Sequence, residues 1–294
     1  MTDMPRKPAS ILFPFCLLLI AMASIQSGAS LAKSLFPLVG AQGTTTLRLV
    51  FASLIMLLIL RPWRARLTAS SLRTVIIYGV ALGGMNFLFY MSLRTVPLGI
   101  AVALEFTGPL AVALIASRKL IDFLWIALAA IGLLLLIPIG ASSGHLDLAG
   151  VGYALSAGAC WAAYILFGQK AGADNGVQTA ALGVMIAAIV IAPIGVAHAG
   201  PALFDIALIP VALGVAILST ALPYSLEMVA LTRMPARTFG TVASLEPVFA
   251  ALSGLLFLNE TLSLIRWLAI GAIIVASIGA TIGSPTKPQL VPAD

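Results

Sequence analysis

Two carboxylates in this chain stand where carboxylates are expensive. Glu105 lies in Ile100-Ala-Val-Ala-Leu-Glu-Phe-Thr-Gly-Pro109, and Glu246 in Val242-Ala-Ser-Leu-Glu-Pro-Val-Phe-Ala250. An acid inside an apolar run long enough to cross a bilayer is a functional candidate by default. Out of water, such a group holds a proton or a substrate ammonium but not easily both. That mutual exclusion is the physical basis of antiport. The competing reading of each acid is a structural carboxyl neutralised by a partner or a proton.

A proline follows each acid. Pro109 and Pro247 have no N–H, so the carbonyl four residues back loses its helix donor. Those carbonyls belong to Glu105 itself and to Ala243. Freed carbonyls in a cavity wall can receive a cation, although membrane helices also tolerate proline as a plain kink. Arg48, near one end of an apolar run, either snorkels to the interface or clamps a substrate carboxylate or pairs with Glu105. Asn86, Tyr90 and Tyr224 suit a polar cavity or hydrogen bonds between helices. Trp161 and Tyr164, three apart, share a helix face and fit cavity wall or core equally. Glu227 reads as a span-end acid within reach of water or Arg233. Glu260 reads as a cap for the last span.

Other chemistry finds no support in the residue pattern. Cys16 and Cys160 both sit in apolar runs and have no metal spacing, and His145 and His198 are far apart. No metal site, cofactor motif or phosphate loop is present, and no span carries the histidine or paired aspartates of an intramembrane hydrolase. The chain is not expected to be an enzyme.

The elements that must position these residues follow from composition. The chain has 294 residues, 61% hydrophobic and 9% charged, against about 45–50% and 25% for soluble domains. Apolar runs recur along its length, each able to cross a hydrocarbon core of about 30 Å as a helix. Ten spans are expected, at 11–32, 43–60, 72–93, 98–116, 121–139, 148–168, 177–197, 206–230, 238–258 and 262–282. Residues 1–10 and 283–294 read as polar, proline-rich tails. Arg6 and Lys7 before the first span resemble a signal peptide. The apolar stretch runs on past Ser24, however, and its removal would leave nine spans.

The halves echo each other. Ser92-Leu-Arg-Thr-Val-Pro97 returns as Ala230-Leu-Thr-Arg-Met-Pro235, and Pro109 returns as Pro247, both at an offset of 138 residues. Pro97 and Pro235 mark helix breaks. The same offset pairs Asn86 with Tyr224 and brings Glu105 within one turn of Glu246's position, on nearly the same helix face. Five spans per half make the repeats, 11–139 and 148–282, inverted with respect to each other. Secondary transporters use this plan, with the site near the midplane between the halves.

Placing both termini in the cytoplasm puts twelve Lys and Arg inside and three outside (Lys33, Arg94 and Arg266). That bias fits the positive-inside rule. The net charge of +6 is therefore a matter of topology and not a nucleic-acid footprint. Trp63, Trp125 and Trp267 lie near span ends, as interface anchors do. A channel remains the competing class, but it would want a filter of repeated rings.

At Leu245-Glu-Pro-Val-Phe249, at Phe257-Leu-Asn-Glu-Thr-Leu262 and in the five-helix repeat, the sequence resembles the EamA-type, ten-span members of the drug/metabolite transporter superfamily. Residues 21–40, 83–114 and 216–246 are similar, more closely, to amino-acid exporters of the threonine/homoserine type within it. The likeness runs over about residues 15–282. It implies an all-α bundle in the bacterial inner membrane that exports small amino acids in exchange for protons. Its partners would be substrate, protons and lipid, with no cofactor. An efflux carrier for another small metabolite or drug is the alternative the superfamily leaves open.

Overall fold

A computed structural model describes residues 12–65, 67–115, 120–136, 147–233, 242–243 and 245–283; Pro235 and most of both tails lie outside these. The regular structure among the described residues is all helical, with no strand. The helices are α1 (Leu12–Ala32), α2 (Phe36–Leu60), α3 (Ala69–Ser92), α4 (Leu98–Glu105), α5 (Thr107–Ile115) and α6 (Leu120–Leu136). Then follow α7 (Leu148–Asn175), α8 (Val177–Ala199), α9 (Ile209–Ala216), α10 (Leu222–Arg233), α11 (Glu246–Leu258) and α12 (Leu264–Gly283).

Among the described residues, five helical stretches are long and apolar enough to cross a membrane: Leu12–Leu60, Ala69–Ser92, Leu148–Gly172, Val177–Phe204 and Ile206–Glu227. The first is 49 residues long, about twice what one crossing needs. It is divided by the 3-10 turn Lys33–Leu35 and by Gly40, whose φ of 69° leaves the helical region. Leu98–Val112, Glu246–Leu258 and Leu264–Ala276 are shorter apolar helices. The bundle is apolar outside, and its largely apolar interior also holds polar groups. Leu58, Ile59, Ile189, Leu256 and Leu268 are exposed, whereas Gln26, Arg48, Asn86, Glu105, Thr220 and Glu246 are buried. That is the arrangement expected where lipid, not water, is the solvent.

Two spans depart from continuous helices. The 98–116 span is interrupted at Phe106 between α4 and α5, because Pro109 can neither donate to Glu105 nor clear its carbonyl. The 206–230 span contains a π-type turn, Ile217–Ala221, between α9 and α10. Pro223, the second residue of α10, has no N–H for the carbonyls of Ser219 or Leu218.

Packing pairs run across the chain. α2 lies on α8, α6 on α12, α3 on α7 and α8, α1 on α10 and α11, α4 on α11, and α5 on α7. Adding or subtracting 138 sends α2 to α8, α6 to α12, α3 to α9–α10 and α1 to α7. The α3–α7 contact thus corresponds to that of α1 with the α9–α10 span. Glycines permit the closest approaches. A Cβ on Gly28 would fall 2.7 Å from the Ser219 amide nitrogen, so α1 rests directly on the π-type turn. A Cβ on Gly158 of α7 would strike the Glu105 carbonyl, and one on Gly108 the Gly158 carbonyl. In lipid such small-residue contacts do much of the work of association.

Candidate functional site

Each of the two acids stands at a helix end. Glu105 is the last residue of α4, 7% exposed, and Glu246 is the first residue of α11, 9% exposed. The helix Glu246–Leu258 opens on this acid, and Pro247 takes the position just inside its start, which needs no N–H donor. The carbonyl of Glu105 faces Gly158, whose missing side chain admits it. Glu246 Oε1 accepts from Gln26 Nε2 of α1 at 3.1 Å.

Arg48 is 2% exposed and does not snorkel. Its Nε donates to Thr220 Oγ1 at 2.6 Å, and Nη2 donates to the Ser219 carbonyl. Ser24 Oγ donates to the Leu218 carbonyl at 2.7 Å. Both carbonyls that Pro223 fails to serve thus receive side-chain donors, which settles where the arginine points. The fork has five N–H donors, and these contacts engage two. Beneath it, the Tyr90 ring centroid lies 4.9 Å from the guanidinium carbon, within cation–π range. Tyr90 is fully buried.

Asn86 and Tyr224, mates under the 138 offset, meet across the halves. Asn86 Nδ2 donates to Tyr224 Oη at 3.3 Å and to the Leu82 carbonyl at 2.8 Å. Tyr224 also neighbours Tyr164 (6.4 Å between centroids), which stacks on Tyr78 at 4.9 Å. Trp161 meets Phe106, the residue of the α4–α5 break, edge to face at 5.6 Å.

These side chains face one cavity. Glu105, Glu246, Arg48, Asn86, Trp161, Tyr164 and Tyr224 line it, and Tyr90 supports it from behind Arg48. Its volume is about 50 Å³, measured at the centres of water-sized spheres. One water needs about 10–15 Å³ on that measure, so the space suits a solute the size of a few waters. Gln26 and Glu227 also line it, and the sequence reading assigned neither to the site. Glu227 is one turn from Tyr224 on the same face, a spacing that could have placed it there. Gln26 is a polar residue within an apolar run, the same signal that singled out the glutamates.

A second cluster ties the halves together at one end of the bundle. Lys33 Nζ and Glu260 Oε1 are 2.7 Å apart, and Glu260 Oε2 accepts the Leu98 N–H at 2.8 Å. Pro97 offers no side-chain cap for α4, so Glu260 from the other half supplies an acceptor to an orphan N–H of its first turn. Asn259 ends α11 in the left-handed region at φ 54°, with the Glu260 N–H returning to the Gly254 carbonyl at 3.0 Å. A Cβ on Gly254 would lie 2.6 Å from Glu260 Oε2. The Asn-Glu pair of Phe257–Leu262 therefore turns the chain and aims a carboxylate at the first half, where the sequence suggested only a cap for the following helix.

The chain is 58% identical over 281 residues to the threonine/homoserine exporter RhtA of Salmonella typhimurium (strain LT2), covering 96% of this chain and 95% of that one. With the protein of the same name from Escherichia coli (strain K12) it shares 60% over 269 residues, or 92% and 91% of the two chains. The model of the EamA-like transporter family matches residues 148–282. The chain belongs to the EamA-like transporter family. One solved crystal structure aligns with a TM-score of 0.61 at 17% identity, covering 96% of this chain and all of that one. That likeness speaks to the fold alone.

Proposed function

We propose that this protein exports small amino acids of the threonine/homoserine type from the cytoplasm by exchanging them for protons. The observation that carries the reading is the near full-length identity to threonine/homoserine exporters. The cavity chemistry agrees with it: carboxyls for an ammonium and a guanidinium for a carboxylate, as a zwitterion requires. It is a carrier and not an enzyme, and it needs no cofactor. The bacterial inner membrane, ten spans in two inverted repeats (11–139 and 148–282) and two cytoplasmic termini complete the proposal. The packing pairs that interchange under the 138 offset support the repeat, and the twelve-to-three distribution of basic residues supports the orientation.

The two acids take different parts. Glu246 opens α11 and meets the positive end of its dipole, whereas Glu105 closes α4 at the negative end. Charge is better tolerated on Glu246, which we assign to the substrate ammonium, and Glu105 to the proton. In this orientation the Lys33–Glu260–Leu98 clasp closes the outer end. Alternating access requires it to open when the cavity faces outward.

Everted membrane vesicles test the proposal. With labelled threonine or homoserine and an imposed pH gradient, the unaltered protein shows saturable uptake and counterflow. Glu105→Gln abolishes pH-driven uptake and retains substrate–substrate exchange, which moves no net proton. Full pH-driven transport by Glu105→Gln would make Glu105 structural. Non-saturating flux without counterflow would indicate a channel.

A further inference from the structure

We propose that Gln26 is a direct ligand of the substrate's ammonium group, acting beside Glu246 and resting on the export function proposed above. Gln26 is 3% exposed and borders the cavity. Its Nε2 is committed to Glu246 at 3.1 Å. Its Oε1 is buried and accepts from no described group. A carboxylate needs a donor, which fixes the amide with its nitrogen toward Glu246 and its oxygen as the orphan. A buried carbonyl without a donor is destabilising, and it persists where a ligand supplies the missing N–H.

The donor that fits is a primary ammonium. It offers three N–H groups and no acceptor, so one can go to Gln26 Oε1 and another to Glu246. The remaining charged groups at the cavity are Arg48, Glu105 and Glu227. Three carboxyls against one guanidinium favour a cationic group at the Gln26–Glu246 side. Arg48 does not compete for the orphan oxygen, because Thr220 and the Ser219 carbonyl hold its fork on the α9–α10 turn. The position of Gln26 is itself constrained. Gly28 seats α1 against Ser219, and Ser24 bonds the Leu218 carbonyl, so α1 presents the amide to the cavity on a rigid support. The amide thus orients Glu246 through its nitrogen and binds substrate through its oxygen.

The experiment uses the full chain in proteoliposomes with threonine and N,N-dimethylthreonine, whose ammonium keeps a single N–H and so cannot serve Gln26 and Glu246 together. Gln26→Met keeps the volume and removes the amide. It should raise the threonine KM tenfold or more, while the maximal rate changes less than threefold. The KM ratio of N,N-dimethylthreonine to threonine should fall toward one, because the variant has lost the acceptor that threonine's second N–H used. Gln26→Asn, which withdraws the amide by one methylene, serves as a second variant, with the same direction and a smaller effect. A threonine KM within twofold of the unaltered protein, or an unchanged ratio in both variants, would overturn the assignment and leave the export function standing. Failure of the unaltered protein to move threonine would overturn both.

Discussion

The Lys33–Glu260 clasp makes a quantitative prediction about conformational balance. Its contacts join Lys33 and Leu98 of the first half to Glu260 of the second, so they exist only while those ends are together. The Lys33 and Glu260 side chains are 24% and 15% exposed, which places the pair between two regimes. Exposed ion pairs contribute about 0.2–1 kcal/mol, and breaking a fully buried pair costs about 3–5 kcal/mol. Glu260→Gln keeps an acceptor for the Leu98 N–H and removes only the ionic part. A loss of roughly 1 kcal/mol is therefore reasonable for a mostly covered pair discounted for solvent. That shifts the equilibrium toward the outward-open state about fivefold, at about 1.4 kcal/mol per factor of ten.

The assay is the rate at which a membrane-impermeant maleimide, added outside intact cells, labels Ala29→Cys in a background lacking Cys16 and Cys160. Ala29 lines the cavity and is 2% exposed, so only an open outer path admits the reagent. Glu260→Gln and Lys33→Met should each accelerate labelling about fivefold. The double variant should be no faster than about the same factor, because both changes remove one interaction. Labelling that is no faster in either single variant would refute the clasp as a gate. A double variant whose acceleration equals the product of the singles would show that the two residues act separately.

Further expectations follow from the same geometry. Arg48→Lys keeps the charge and loses the planar fork that serves Thr220 and the Ser219 carbonyl; threonine transport in vesicles should fall at least tenfold, and full activity would exclude the role given to Arg48. Gly158→Ala places a methyl against the Glu105 carbonyl and should lower thermal stability in detergent by about 1–3 kcal/mol, as overpacking does. Gly152→Ala on the same helix, with nothing within 4 Å of its Cβ, should be neutral or stabilising. Cysteines at Thr95 and Ser70, both exposed, should label from opposite sides, Thr95→Cys from outside. Equal labelling would refute the orientation.

Much of the molecule was legible in the chain before folding was considered. Apolar runs of spanning length decide for helices in lipid, because a bilayer offers the backbone no hydrogen-bond partner. The basic residues suggest orientation through their counts alone. Glu105 and Glu246 announce themselves because an acid among Ala, Val and Leu has a large desolvation penalty. Pro109, singled out by the chain, explains the break at Phe106. The direction in which each polar side chain faces was not legible. Spans apolar on every side carry no stripe to separate a lipid face from a cavity face, so Arg48 could equally have pointed to the interface. Only the seating of α1 and α2 on the α9–α10 turn decided that it points inward. The same packing brought Gln26 to Glu246, more than two hundred residues away in the chain, and Glu260 to Leu98. Local pattern cannot encode such pairings, because they depend on which helices meet across the two halves, and helix meeting is decided by the fit of small residues over long separations.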